Sequence, residues 1–135
     1  MTTIGGPPVT FPDAAAAIIA HFNTVSTLAG VPIHQVEPNP LPPTFVLVKR
    51  VGGHNRNLVI DDAYVTIETW APTEAEAHDL GQITRAELHA AVGAYLGTQF
   101  CYRVDEIGGL AMSPDPTSFK PRYTWTAAVS LRGIA

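Results

Sequence analysis

The chain has 135 residues, a net charge of −4 and 46% hydrophobic residues, enough for one domain to bury roughly two-thirds of its unfolded surface without a disulfide or metal. Eight Lys and Arg, scattered among twelve Asp and Glu, leave no basic footprint that would hold nucleic acid by attraction. The aliphatic runs fall well short of the roughly 18 residues of a membrane span, the N-terminus lacks a secretory pattern, and the single Cys101 forms no internal disulfide, so a protein made in the cytoplasm without a transmembrane helix is expected.

Residues 1–12, rich in Gly, Pro and Thr, read as a flexible N-terminal tail ahead of a single domain over 13–135. Pro12 and Asp13 suit the first turn of a helix. Ala17, Ile18, Phe22, Val25 and Leu28 recur at helical spacing, and Gly30 with Pro32 supplies the stop, which predicts a helix over 13–29. Residues 33–36 form at most a short edge strand, because Pro38, Pro40, Pro42 and Pro43 follow as a stiff spacer and cannot donate to a ladder.

A strand over 45–51 pairs with another over 63–71, where Val65 and Ile67 alternate with Tyr64, Thr66 and Glu68. Residues 52–57 between them read as a mobile, polar hairpin loop facing outward. Thr73 and Glu76 match a capping box, in which the Thr hydroxyl accepts from the third helical amide. The apolar set Ala77, Leu80, Thr84, Leu88, Ala91, Val92 and Tyr95 then gives a helix over 74–96, stopped by Gly97. Gly81 and Gly93 within that span imply close packing or a bend, since each costs roughly 1 kcal/mol against Ala in a helix.

Two strands close the chain, over 101–107 and 123–131. The second alternates Tyr123, Trp125, Ala127, Val129 and Leu131 against Thr124, Thr126, Ala128, Ser130 and Arg132. The 108–121 loop between them is long, because most hairpin connections are roughly two to five residues, and it faces a partner. The predicted fold class is α+β: a mixed, mainly antiparallel four-stranded sheet with two helices packed on one face.

No catalytic constellation emerges. His21, His34, His54, His78 and His89 lack metal-ligand spacing, and His78 and His89 would sit roughly 16 Å apart on a helix rising about 1.5 Å per residue; solvated histidines are the favoured reading. Cys101 would need a lowered pKa and a neighbouring base to act as a nucleophile, so a small buried hydrophobe is favoured. Asp61 with Asp62, and Asp105 with Glu106, would point to opposite faces of a strand and are read as solubilising strand ends. Gly52-Gly53 and Gly108-Gly109 lack the spacing and Lys of a phosphate loop and suit hairpin exits. Trp70 and Trp125 are read first as core and second as interface anchors. No catalytic residue, cofactor or metal is expected.

The run Val48-Lys49-Arg50-Val51-Gly52-Gly53, the run from Asp62 to Ala71 leading into an Ala- and Glu-rich helix, the Gly108-Gly109 pair, Pro114-Asp115-Pro116, Pro121-Arg122-Tyr123 and the closing Val129-Ser130-Leu131-Arg132-Gly133 together resemble tail terminator proteins of long-tailed, siphovirus-type actinobacterial phages. The resemblance covers most of the chain from Asp13 onward. It implies a structural virion protein that forms a hexameric ring on the head-proximal end of the tail tube. Such a ring ends tube growth, offers a surface for head joining and lets DNA pass through its lumen without specific binding. The implied partners are further copies of the chain, the tail tube protein and a head-tail connector or neck protein, with no membrane and no catalytic residues. Candidate interface residues are Arg50, His54, Arg56, Trp70, Asp115, Phe119 and Arg122. A head-closure or connector neck protein is the alternative, and a small enzyme using Cys101 or the histidines is the distant one.

Overall fold

The computed structural model describes residues 8–11, 13–57 and 59–133; of the tail expected over 1–12, residues 1–7 and 12 lie outside the described residues. The elements are α1 (Ala14–Phe22), a 3-10 turn (Ser26–Leu28), β1 (Ile33–His34), β2 (Phe45–Asn55), β3 (Ile60–Trp70), α2 (Glu74–Ala90), β4 (Tyr95–Leu96), β5 (Gln99–Met112) and β6 (Arg122–Arg132).

The four-stranded sheet expected from the sequence is corrected to a six-stranded mixed sheet, ordered β1-β2-β3-β6-β5-β4 and curled into a half-barrel. The additional strands are the pieces too short for any periodicity to register. Ile33 and His34 pair in parallel with Val46 and Leu47. Tyr95 and Leu96 pair antiparallel with Phe100 and Gln99, inside the stretch whose apolar spacing predicts helix. That helix ends earlier, at Ala90, because the chain turns at Gly93, which has φ +80 and whose amide donates to the Cys101 carbonyl at 2.8 Å. A left-handed residue of this kind cannot continue a helix.

The first helix also divides. Thr24 donates through both its amide and its hydroxyl to the His21 carbonyl, a local bond of the type that competes with helix propagation. At the other end Asp13 caps α1 by accepting from the Ala16 amide at 3.2 Å.

The glycine pairs lie within strands instead of loops. β2 runs through Gly52 and Gly53, with a register shift between Arg50 and Gly52, and β5 runs through Gly108 and Gly109 with shifts on either side of Gly108. These are bulges, where an extra residue bends a strand and increases its twist. Gly53 has φ +109, and a Cβ there would stand 2.1 Å from the Asp62 carbonyl, so only glycine fits. The outward connections consequently shrink to a tight turn after Asn55 and a loop over 113–121.

The main core lies between the helices and one face of the sheet. Ile18 and Phe22 of α1 and Leu80 and Leu88 of α2 cover Val46, Val48, Val65, Ile67, Trp125, Ala127, Val129 and Leu131. Each fully buried large side chain contributes roughly 1.5–3 kcal/mol. Close approach of α2 is set by Gly81, where a Cβ would meet Leu110 Cδ1 at 2.7 Å. A smaller cluster of Phe45, Leu47 and Trp70, covered by Leu41, occupies the other face at the β2 end.

One polar pair anchors α2 to the sheet. Trp125 Nε1 donates to Thr84 Oγ1 at 3.0 Å, and the Thr84 hydroxyl donates to the Gly81 carbonyl at 2.7 Å, with both side chains buried. Thr84→Val leaves the indole N–H without a partner and should cost about 1–3 kcal/mol, the penalty for an unsatisfied buried donor. Trp125→Phe combined with Thr84→Val should cost less than the sum of the single changes; additive urea-denaturation energies would contradict this coupling.

Candidate functional site

Three surfaces stand out, two at projecting hairpin ends and one a pocket at the base of β5, and register shifts in the β2–β3 and β5–β6 ladders accompany them. The first is the β2–β3 hairpin end. The Asn57 side chain closes its turn by accepting from the Val59 and Ile60 amides at 2.9 and 3.0 Å. Strand alternation sends Asp61 and Asp62 to opposite faces, and each finds a cation. Arg50 grips Asp61 with a two-pronged contact at 2.6 and 3.0 Å. Arg56 Nε donates to Asp62 at 2.9 Å, the buried Ser130 hydroxyl donates to the same carboxylate, and His54 stands 3.9 Å away.

Asp61 and Asp62 are 2% and 7% exposed, so they are structural ion-pair partners and not solubilising strand ends. Burial opposes ionisation of Asp62, but the Ser130 hydroxyl and the Arg56 guanidinium outweigh it and hold the carboxyl below its ordinary range. The Asp61 carboxylate in turn raises the pKa of Arg50.

The second surface is the β5–β6 arm. The Asp115 carboxylate accepts from the Ser118 amide and hydroxyl at 2.8 and 2.6 Å, a side-chain turn of the sort Asp favours. The Phe119 amide donates to the Asp115 carbonyl and the Asp115 amide to the Lys120 carbonyl, while Arg122 Nε donates to the Ser113 carbonyl at 2.7 Å. These bonds fix a loop that the sequence leaves open.

The same loop holds Phe119 at φ +57 with 79% of its surface exposed. Left-handed backbone costs a non-glycine residue on the order of 1–2 kcal/mol. Ile107 and Met112, 55% and 48% exposed, extend the apolar character along the arm.

Arg122 ties the arm to the body. Its guanidinium lies 5.4 Å from the Trp70 ring centroid and 3.5 Å from Glu68. Trp70 stacks on Phe45 at 5.0 Å and donates from Nε1 to Glu68 at 3.1 Å. At 2% exposure, Trp70 supports the arm's root from within. The seven candidate residues thus fall into two groups: Arg50, His54 and Arg56 at the β2–β3 end, and Trp70, Asp115, Phe119 and Arg122 along the arm and its root.

Sequence reasoning misses the third surface. At the base of β5, Phe100 packs edge-on against Tyr95 at 5.5 Å and Tyr102 at 4.9 Å. With Val9, Val59 and Arg132 these rings line an open pocket of about 550 Å³. The available signal is Tyr95, Phe100 and Tyr102 within eight residues, masked because Tyr95 also fits the periodicity of the preceding helix.

The groups with reactive potential are otherwise engaged. Cys101 is buried, its thiol is pushed up to about 11 by desolvation, and Sγ sits 3.7 Å from the Arg103 carbonyl. Among the described residues no group of three or more His, Cys, Asp and Glu is placed to hold a metal ion. His21, His78 and His89 are not merely solvated. His89 stacks on Trp125 and lies 3.5 Å from Glu106, His78 meets Tyr123 edge-on, and His21 Nε2 lies 3.3 Å from the Glu87 carbonyl. Arg85 also grips Glu106 and lowers its pKa. Compared with known proteins, the chain matches no family model and no curated protein.

Because burial raises the Cys101 pKa from 9.0 to about 11, the unfolded chain releases that proton first as pH rises. The thiol's contribution to stability is therefore complete below about pH 9 and declines toward pH 11. The lowered Asp62 and Glu106 carboxyls act oppositely, adding stability above about pH 4 that is lost as acid protonates them. Urea midpoints across pH should fall at both ends, with the alkaline fall shallower in Cys101→Ala. Rapid alkylation of the folded protein by iodoacetamide at pH 7 would contradict the buried-thiol assignment.

Proposed function

We propose that the chain is a structural phage tail assembly protein that forms a ring on the head-proximal end of the tail tube, ends tube elongation and provides the surface for head joining. The observation that carries this reading is the β5–β6 arm. A hairpin braced by Asp115, Ser118 and Arg122 holds Phe119 in water in a strained conformation. Large apolar groups fixed outside a body in this way mark contact surfaces between proteins, and backbone strain is characteristic of functional elements.

A ring needs two unlike patches repeated around an axis. The arm tip and the aromatic base of β5 differ in shape and lie at opposite ends of one hairpin, which supports a repeating contact of that kind. The net charge of −4 suits a lumen through which DNA slides without adhering. The overall sequence pattern that resembles tail terminators supports a place at the head-proximal end of the tail.

Electron microscopy of the purified full chain should show rings, and tubes grown from the tail tube protein in its presence should be capped and of limited length. Loss of its gene from the phage should give overlong tails without heads. A strictly monomeric protein that leaves tube length unchanged would sink the proposal. Tails of normal length that fail to join heads would instead identify a head-closure or connector neck protein.

A further inference from the structure

We infer that the Phe119 tip of the arm inserts into the Tyr95–Phe100–Tyr102 pocket of a second copy of this chain, a head-to-tail contact with the Asp115 carboxylate reaching the neighbour's Arg132. The inference rests on the ring-assembly reading and specifies the contact that builds the ring.

The chain's own geometry separates the two halves of the contact. β5 and β6 stay paired from Cys101 opposite Leu131 to Met112 opposite Tyr123. At roughly 3.3 Å per residue along the unbulged β6, the ladder from Leu131 to Tyr123 is roughly 26 Å long, and the 113–121 loop carries the tip beyond it. A rigid paired ladder cannot fold the tip back onto its own base, so only another molecule's tip can enter.

The chemistry is complementary. Phe119 presents an apolar ring, and the pocket presents Phe100 and two tyrosines already arranged edge-to-face, the geometry in which aromatic rings attract one another. Arg132 on the pocket wall is exposed and takes part in none of the ion pairs among the described residues. Asp115 is kept ionised by its bonds to Ser118 and likewise lacks an ion-pair partner within 4.0 Å among the described residues. A carboxylate beside the tip ring and a spare guanidinium beside the receiving rings match in sign.

The contact joins unlike surfaces, so each copy retains one unused tip and one unused pocket until the chain of copies closes. That property allows a reciprocal test with two variants of the full-length protein. Phe119→Gly removes the tip ring and relaxes the positive φ, so the fold is retained or gains stability. Tyr95→Ala with Arg132→Glu disables the pocket at two exposed positions. By sedimentation velocity, each variant alone should associate at least ten-fold more weakly than the unaltered chain. Mixed together, they should form a one-to-one dimer, because one contributes an intact tip and the other an intact pocket.

Rings of unaltered stability from Phe119→Gly, or no dimer on mixing, would overturn the tip-to-pocket contact while leaving ring assembly standing. An unaltered protein that stays monomeric at every concentration and on tubes would overturn ring assembly as well. Tail tube binding that requires Phe119 while self-association does not would assign the tip to the tube and refute the contact between copies.

Discussion

Everything else in the molecule is hung on the β3–β6 ladder. It runs without a register shift from Ile60 opposite Arg132 to Trp70 opposite Arg122, whereas the flanking β2–β3 and β5–β6 ladders both carry shifts. Because side chains alternate faces along each strand, an unbroken central pair fixes which residues face the helices. Val65 and Ile67 stand with Trp125, Ala127, Val129 and Leu131 on the core side, and Thr66 meets Thr126 on the other at 2.9 Å. A slip of one residue would turn the core side chains of the slipped strand outward.

With the centre fixed, the outer strands can bend. Glycine at Gly52, Gly53 and Gly108 lets β2 and β5 absorb extra residues. Ion pairs from Arg50 to Asp61 and from Arg56 to Asp62 then brace the β2–β3 end, and Arg122 with Glu68 and Trp70 braces the arm. These bonds surround surfaces that the monomer itself leaves exposed. In the arm the loop's internal bonds oppose the local cost of a left-handed Phe119, so the strained residue persists because its surroundings over-determine it.

Much of this was legible locally. The Thr73 half of the capping box forms, its hydroxyl accepting from the Glu76 amide at 3.2 Å. Thr84 lies on the buried face of α2, and the alternation over Tyr123 to Leu131 marks the core face of β6. These signals work because cap geometry and side-chain period are properties of consecutive residues. The features that escaped depend on distant partners. Nothing near Asp61 or Asp62 announces that Arg50, Arg56 and Ser130 will surround them. Glycine pairs look alike whether they sit in a loop or in a bulge. Tyr95 satisfies both the helical period of the preceding segment and the short β4 ladder, and the position of Gly93 decides between them. The aromatic base of β5 is hidden with it, and the sequence marks an outward connection over 108–121 without showing that β5 runs on through Met112 to build its root.

In the inferred ring, copies of the chain join through unlike ends of the β5–β6 hairpin. A reconstruction of the assembled particle at side-chain resolution would show the contact itself. Density should run from each Phe119 tip into the base of the next subunit, with the Phe119 ring against Tyr95 and Phe100 and Asp115 beside Arg132. Arm tips standing free in solvent, or meeting one another across a two-fold axis, would contradict it.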